Sequence, residues 1–222
     1  MTHPDILAAL ARERVNTFLS EAQAARQASL ARAARPRASG KRVVLRDGST
    51  VLIRPVRSTD APLLARGFAR LSPQSRWMRF LGAKTSLSAA ELRYLTDVDH
   101  HDHEAIGALS AADGRGVGIA RYVRDTDDPR TAEIAVTIVD DWQGRGLGTE
   151  LLAGLSDRAR QADIDRFTAL VSTQNGAMAG LLRKTQEFNP SVDVSVRKYN
   201  IRYGRVYQNE SLDTRATDQD GL

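Results

Sequence analysis

The 222-residue chain has no cysteine, which excludes a disulfide, a thiolate nucleophile and a cysteine-ligated zinc. Any covalent intermediate would have to use another side chain. Histidine is scarce as well: of the four, one is His3 and three stand in Asp99-His100-His101-Asp102-His103-Glu104. Imidazoles and carboxylates are metal ligands, but adjacent residues of an extended segment point to opposite faces and no second ligand cluster accompanies them. No metal site is expected, and the segment reads as a polar loop leading into a strand over 104–110. No apolar run approaches the roughly 18 residues needed to cross a bilayer. The N-terminus lacks the continuous apolar core of a secretory signal, so the cytoplasm is the expected compartment. Aromatic residues make up only 5% of the chain.

What is present is the composition of one soluble domain with appendages, 41% hydrophobic and 27% charged. The net charge of +5 is uneven. Arg12, Arg14, Arg26, Arg32, Arg35, Arg37 and Lys41 face only Asp5, Glu13 and Glu21 at the N-terminal end, whereas Glu210, Asp213, Asp218 and Asp220 dominate the C-terminal end. A basic stretch suits nucleic acid or an acidic partner. Here no aromatic residue interleaves the arginines as a base-stacking platform requires, so a solvated face is the expectation. Residues 1–35 read as a helix with Pro4 in its first turn and a small seam of Leu7, Ala11, Val15, Phe18, Ala22, Ala25 and Ala28. Such a seam needs a neighbour, either the folded domain or a second copy in a homodimer. Pro36 to Gly40 then forms a linker. Residues 1–40 are thus an arm and linker, 41–208 a folded domain, and 209–222 a polar, disordered tail.

The domain opens with two strand-like runs, Val43–Leu45 and Val51–Val56, around an Asp47-Gly48 turn. Thr59-Asp60 is placed to cap a helix with Pro62 in its first turn and Leu63, Leu64, Phe68 and Leu71 inside. Ser72-Pro73 starts a further helical turn carrying Trp77, Met78 and Phe80, and Ser88 to Glu91 is a capping box. Asp113-Gly114 between apolar runs signals a hairpin. Phe167–Val171 reads as a buried strand, Gln174–Met178 as the start of a helix with Leu181 and Leu182. Val192–Val196 reads as a strand with which Asn200–Tyr207 would pair.

Thr131 to Gln161 is the organising stretch. Ile134–Val139 reads as a strand buried on both faces, followed by Gln143-Gly144-Arg145-Gly146-Leu147-Gly148 and a helix opened by Thr149 with Leu151, Leu152 and Leu155 inside. A strand, a Gly-rich turn and a helix leave unpaired amides aimed at an anion. No Lys-Ser/Thr follows Gly148, as a nucleotide-hydrolysing loop requires, and the glycines fall at first, third and fifth places instead of first, third and sixth. The Gln-x-x-Gly-x-Gly pattern of Gln143, Gly146 and Gly148, with Trp142 and Arg145, resembles the acyl-CoA pyrophosphate loop of the GNAT superfamily of N-acetyltransferases. The Ile53-Arg54-Pro55-Val56-Arg57 opening resembles the start of the same domain.

The resemblance implies an α/β GNAT fold, a mixed and mostly antiparallel twisted sheet flanked by helices. It implies acetyl-CoA as cosubstrate. Backbone groups of Val136, Thr137 and Ile138 would meet the pantetheine arm, while Gly144, Arg145, Gly146, Leu147, Gly148 and Thr149 would hold the pyrophosphate, with Asn175 a further contact. Arg76, Arg79 and Phe80 would flank the acceptor groove, although such aromatics are more often core and such arginines solvated. Ala132-Glu133-Ile134-Ala135-Val136 is similar to the strand that carries the proposed general base, here Glu133, in bacterial protein lysine acetyltransferases. A carboxylate suits that task because a lysine ammonium, with a pKa near about 10.4, must lose a proton before it attacks. The plainer alternative is a Glu paired with an Arg at a strand end. Leu182 stands where many members carry a Tyr that protonates the leaving thiolate, which leaves the acid to water or Tyr199. Glu187-Phe188-Asn189 replaces the usual Gly-Phe. A protein lysine is the expected acceptor, with a small amine, or a non-catalytic acyl-CoA-binding regulator, as alternatives.

Overall fold

The computed structural model describes residues 40–80, 83–172, 174–188, 193–202 and 205–208. The arm expected over 1–40, apart from Gly40, and the tail expected over 209–222 lie outside them. Among the described residues one sheet of eight strands runs in chain order: β1 (Lys41–Val44), β2 (Thr50–Pro55), β3 (His103–Ser110), β4 (Gly116–Arg124), β5 (Thr131–Ile138), β6 (Arg166–Ser172), β7 (Asp193–Arg202) and β8 (Arg205–Gln208). The β5–β6 and β6–β7 pairs are parallel and the others antiparallel, as a mixed, mostly antiparallel sheet requires.

Three short helices, α1 (Ala61–Ala69), α2 (Pro73–Phe80) and α3 (Ala89–Thr96), connect β2 to β3. The helix α4 (Leu147–Gln161) crosses from β5 to β6, and α5 (Gly176–Phe188) from β6 to β7. Strand alternation divides the sheet into two faces. Ile106 opposite Ala120, and Ile134 opposite Tyr122 and Ala169, share one face and join Leu147, Leu151, Leu152 and Leu155 of α4 in the core. Each such buried leucine contributes about 1.5–3 kcal/mol relative to leaving it in water. The opposite face carries Ala105, Gly107, Ile119, Arg121, Ala135 and Thr137 and is covered by α1, α2 and α3.

Several expected elements differ in detail. Of the strand read as buried on both faces, Ile134–Val139, only Ile134 and Val139 are buried, and Ala135 to Ile138 are half-buried, where β6 no longer pairs with β5. Asn200–Tyr207 is not one pairing strand. Parallel pairing with β6 up to Ser172 opposite Tyr199 keeps β7 extended to Arg202, so only β8 turns back. The helix expected to open at Thr149 begins at Leu147, since Gly146 already takes the left-handed cap conformation with φ 90°. Asp60 precedes α1 but its side chain does not cap it. Both its oxygens accept from Arg54, at 2.7 and 2.8 Å, and the Arg57 N–H donates to it at 2.8 Å. The Ser88–Glu91 capping box forms as expected, with Ser88 N–H to Glu91 at 2.8 Å and Glu91 N–H to Ser88 at 3.2 Å.

Candidate active site

A gap opens between β5 and β6. The two strands pair only from Thr131 opposite Arg166 to Ile134 opposite Ala169. Beyond that point β5 continues along β4 and β6 along β7. Val139 N–H donates to Val117 O at 3.0 Å, so by the alternation of an antiparallel ladder Thr137 turns its backbone groups to β4, whereas Val136 and Ile138 turn theirs toward the gap. Of the backbone segment expected to meet a pantetheine arm, Val136 and Ile138 therefore present hydrogen-bonding groups and Thr137 presents its side chain to the other face. The Ile138 carbonyl accepts from Gln143 Nε2 at 3.0 Å, which ties the end of the strand to the loop that follows.

That loop sits at the mouth of the gap, in front of α4. Gly144 and Gly146 have φ of 75° and 90°, a region that L side chains rarely adopt. Among the described residues, nothing accepts from the backbone N–H of Gly144, Arg145, Gly146, Leu147 or Gly148, whereas those of Thr149 and Glu150 return to Gly146 O at 3.1 and 3.3 Å. A Cβ on Gly148 would stand 3.1 Å from Leu181 and 3.2 Å from Ile138, so glycine there lets the helix start, α5 and β5 close up. Five orphan amides, two obligatory glycines and the positive end of a helix are a fitting cradle for the diphosphate of coenzyme A. Thr149 is the exception in the expected set, since its amide is already spent.

The remaining expected contacts are placed as follows. Arg145 is engaged with protein: Nη1 pairs with Asp47 at 2.7 Å, Nη2 donates to the Asp141 carbonyl, and the guanidinium lies 4.8 Å from the centre of the Trp142 ring. Asn175 caps α5, its Oδ1 accepting from Met178 N–H at 3.0 Å. Leu182 is buried in the core at 2% exposure, so no hydroxyl reaches the gap from that position, and the side chain of Tyr199 lies outside the described residues. Glu133 shares its face with Ala135 and Thr137 and stands opposite Val123 and Thr168, one rung before the β5–β6 ladder ends. It is half-buried.

On this second face lies a cleft walled mainly by apolar side chains, among them Val56, Leu63, Phe68, Phe80, Leu95 and Ile119, with Arg79, Arg121, Ala135 and Thr137 reaching it. Phe80 lines it. Arg76 and Arg79 are not free solvated charges, since their guanidinium groups stack on Phe68 and Phe80 at 4.9 and 5.0 Å. Two features escaped the sequence reading. Asp140, read only as a turn residue, clamps α2 to the loop by accepting from Ser72 N–H (3.0 Å), Ser72 Oγ (2.7 Å) and Ser75 Oγ (2.8 Å). Burial raises its pKa, but these hydrogen bonds prevail and hold it below the ordinary carboxylate range. Arg121, buried at 5% exposure, stacks on Tyr94 at 4.7 Å and donates to His103 Nε2. A strand-alternation count would have placed Arg121 beside Ala135, but nothing in the sequence marks its partners.

The histidine-rich loop is structural. Asp99 Oδ1 accepts from the N–H groups of His101, Asp102 and His103 at 2.8, 2.9 and 2.9 Å. Buried Glu104 takes His100 and Arg158 at 2.7 and 2.9 Å. Among the described residues no cluster suited to a metal ion is found, and no helix is long and apolar enough to cross a membrane.

The model of the GNAT acetyltransferase domain matches residues 50–186. An acetyltransferase of Pseudomonas aeruginosa is 41% identical over 139 residues, covering 62% of this chain and 74% of that protein. Acetyltransferase Pat of Mycolicibacterium smegmatis is 32% identical over 178 residues, or 80% of this chain; the match spans 48% of Pat, about half its length. The crystal structure of the GNAT domain of S. lividans PAT superposes with a TM-score of 0.64 at 28% identity, covering 78% of this chain and 97% of that one. The strand gap, the amide cradle and these likenesses agree: the chain belongs to the GNAT acetyltransferase family and is an acetyl-CoA-dependent N-acetyltransferase.

Proposed function

We propose that the acceptor is the side-chain amine of a protein lysine, acetylated by direct attack in a ternary complex with Glu133 as general base. The observation that carries this reading is the position of Glu133. It lies on the cleft face, two residues before Ala135 of the cleft wall and one rung before the gap opens. A carboxylate on that face, one strand repeat from the cleft wall, would take the proton of an amine that enters by the cleft. Further support comes from the likeness of Ala132–Val136 to the corresponding strand of bacterial protein lysine acetyltransferases and from the similarity to Pat and to the S. lividans PAT domain.

Bound acetyl-CoA supplies a thioester, whose C–S bond breaks as the C–N bond forms. The chain supplies the rest. Glu133 takes the proton from the ammonium, directly or through water, and leaves a lone pair on nitrogen. The Val136 N–H, turned toward the gap, donates to the acyl oxygen as negative charge develops on it. With Leu182 buried, no side chain at that position protonates the departing thiolate, which takes up, through water or Tyr199, the second proton that the nitrogen loses as the amide forms, while Glu133 returns the first to solvent. Gly144 to Gly148 hold the diphosphate with their amides, and Asn175, which caps α5, adds a further contact.

Incubating the protein with labelled acetyl-CoA and a cell lysate tests the acceptor. Label entering protein as a stable amide, and failing to do so with Glu133→Gln, is the expected result. Label confined to small amines would replace the protein acceptor with the small-molecule reading. Tight acetyl-CoA binding without any labelled product would favour the non-catalytic one.

A further inference from the structure

The arginine of the glycine-rich loop is the obvious cation for a phosphate, yet its guanidinium is occupied on three sides, by Asp47, by the Asp141 carbonyl and by the face of Trp142. Asp47 is held as an anion: the Ser49 hydroxyl hydrogen bond lowers its pKa most, burial opposes it, and the Ser49 N–H and the Arg145 charge lower it further. Releasing Arg145 to a ligand would strand that carboxylate and the ring contact.

The residue before Asp47 is placed differently. Arg46 lies in the turn between β1 and β2, almost a hundred residues upstream of the loop. Its N–H donates to Arg145 O at 3.2 Å, which joins the turn to the loop. Its side chain runs over Gly146: Nε, Cδ and Cγ lie 3.3, 3.4 and 3.4 Å from where a Cβ on that glycine would stand. Arg46 is exposed, and among the described residues no carboxylate or carbonyl engages its guanidinium. It is thus an exposed cation held beside the orphan amides and the positive end of α4, where its charge adds to theirs in attracting an anion.

We propose that Arg46, and not Arg145, is the side-chain cation that pairs with a phosphate of coenzyme A, which makes the β1–β2 turn part of the cofactor site. The guanidinium matches phosphate as a fork of N–H donors, while Arg145 serves to brace the loop. This assignment rests on the family's use of acetyl-CoA and is independent of which amine is the acceptor. Coenzyme A offers two phosphate sources, its diphosphate and its 3′-phosphate, and both present the same chemistry to Arg46.

Calorimetric titration with coenzyme A and with its 3′-dephospho form, at low and high salt, tests it. Arg46→Met keeps aliphatic cover over Gly146 and removes the charge, and Arg46→Lys restores the charge without the fork. Arg46→Met is expected to weaken coenzyme A binding about fivefold at low salt and to flatten its salt dependence, with Arg46→Lys in between. An equal loss with the dephospho form assigns the diphosphate, and no further loss with it assigns the 3′-phosphate. Arg145→Met should lower the melting temperature while leaving the salt dependence in place. Wild-type affinity and salt slope in Arg46→Met, or transfer of the charge effect to Arg145→Met, would overturn the assignment while leaving the family's cofactor site intact. Failure of the wild type to bind coenzyme A at all would overturn both.

Discussion

Glu133, proposed as the base, and the two glycines at the left-handed positions, proposed to cradle the diphosphate, would serve this site in different ways, and single substitutions separate them. Glu133→Gln keeps the shape and hydrogen-bonding capacity of the side chain but removes its basicity. The maximal rate should fall by about 10²- to 10⁴-fold with the affinity for acetyl-CoA unchanged, as read by steady-state kinetics beside direct titration. The rate should recover in part at high pH, where the amine loses its proton without help. Survival of full turnover at neutral pH would remove Glu133 from the mechanism. Gly146→Asp acts on binding. A side chain at φ 90° is strained by about 1–3 kcal/mol, its Cβ meets Arg46, and its charge opposes a phosphate, so affinity for acetyl-CoA should fall more than tenfold, with little change in rate at saturation.

At the scale of elements, the site is made by two strands that part and a helix that starts where they part. The loop was legible because its glycines and the change from strand to helical periodicity are local signals. The hairpin at Asp113-Gly114 and the box at Ser88–Glu91 were legible for the same reason. The parting of β5 from β6 was not, since it is a matter of packing between segments far apart in sequence, which no local signal marks. Nor was the clamp from Asp140 to α2: an aspartate in a turn looks alike whether its oxygens face water or Ser72 and Ser75. That clamp fixes α2, which borders the cleft, to the loop that follows β5. Asp140→Ala leaves the Ser72 amide and two hydroxyl groups without their acceptor, which should cost about 1–2 kcal/mol in denaturant unfolding. It should also raise the KM for the amine more than that for acetyl-CoA, because α2 borders the cleft and the orphan amides lie on the other side of β5. An equal rise in both constants would mean that the clamp acts on the loop alone.

The whole molecule is bound to pH through the far end of the cleft face, where β3, β4 and α3 meet. His103, 5% exposed, accepts from Arg121 and lies 4.9 Å from the Tyr94 ring. Burial first, then the Arg121 charge and that of His100, lower its pKa to about 2. Folded protein therefore keeps this imidazole neutral, while an unfolded chain protonates it near about 6.5. Between those two values the unfolded state binds one more proton, so stability contributed above pH 6.5 is lost as pH falls, at up to about 1.4 kcal/mol per pH unit. Gln at this position still offers Arg121 an oxygen but does not titrate. Urea unfolding of wild type and His103→Gln between pH 7.5 and 5 should give curves that diverge below pH 6.5 by about 2 kcal/mol at the acid end, the variant being the flatter. Because the other histidines and carboxylates are common to both proteins, the difference isolates this residue. Parallel curves would show that the imidazole is open to protonation in the folded state and that Arg121 is not pinned against it.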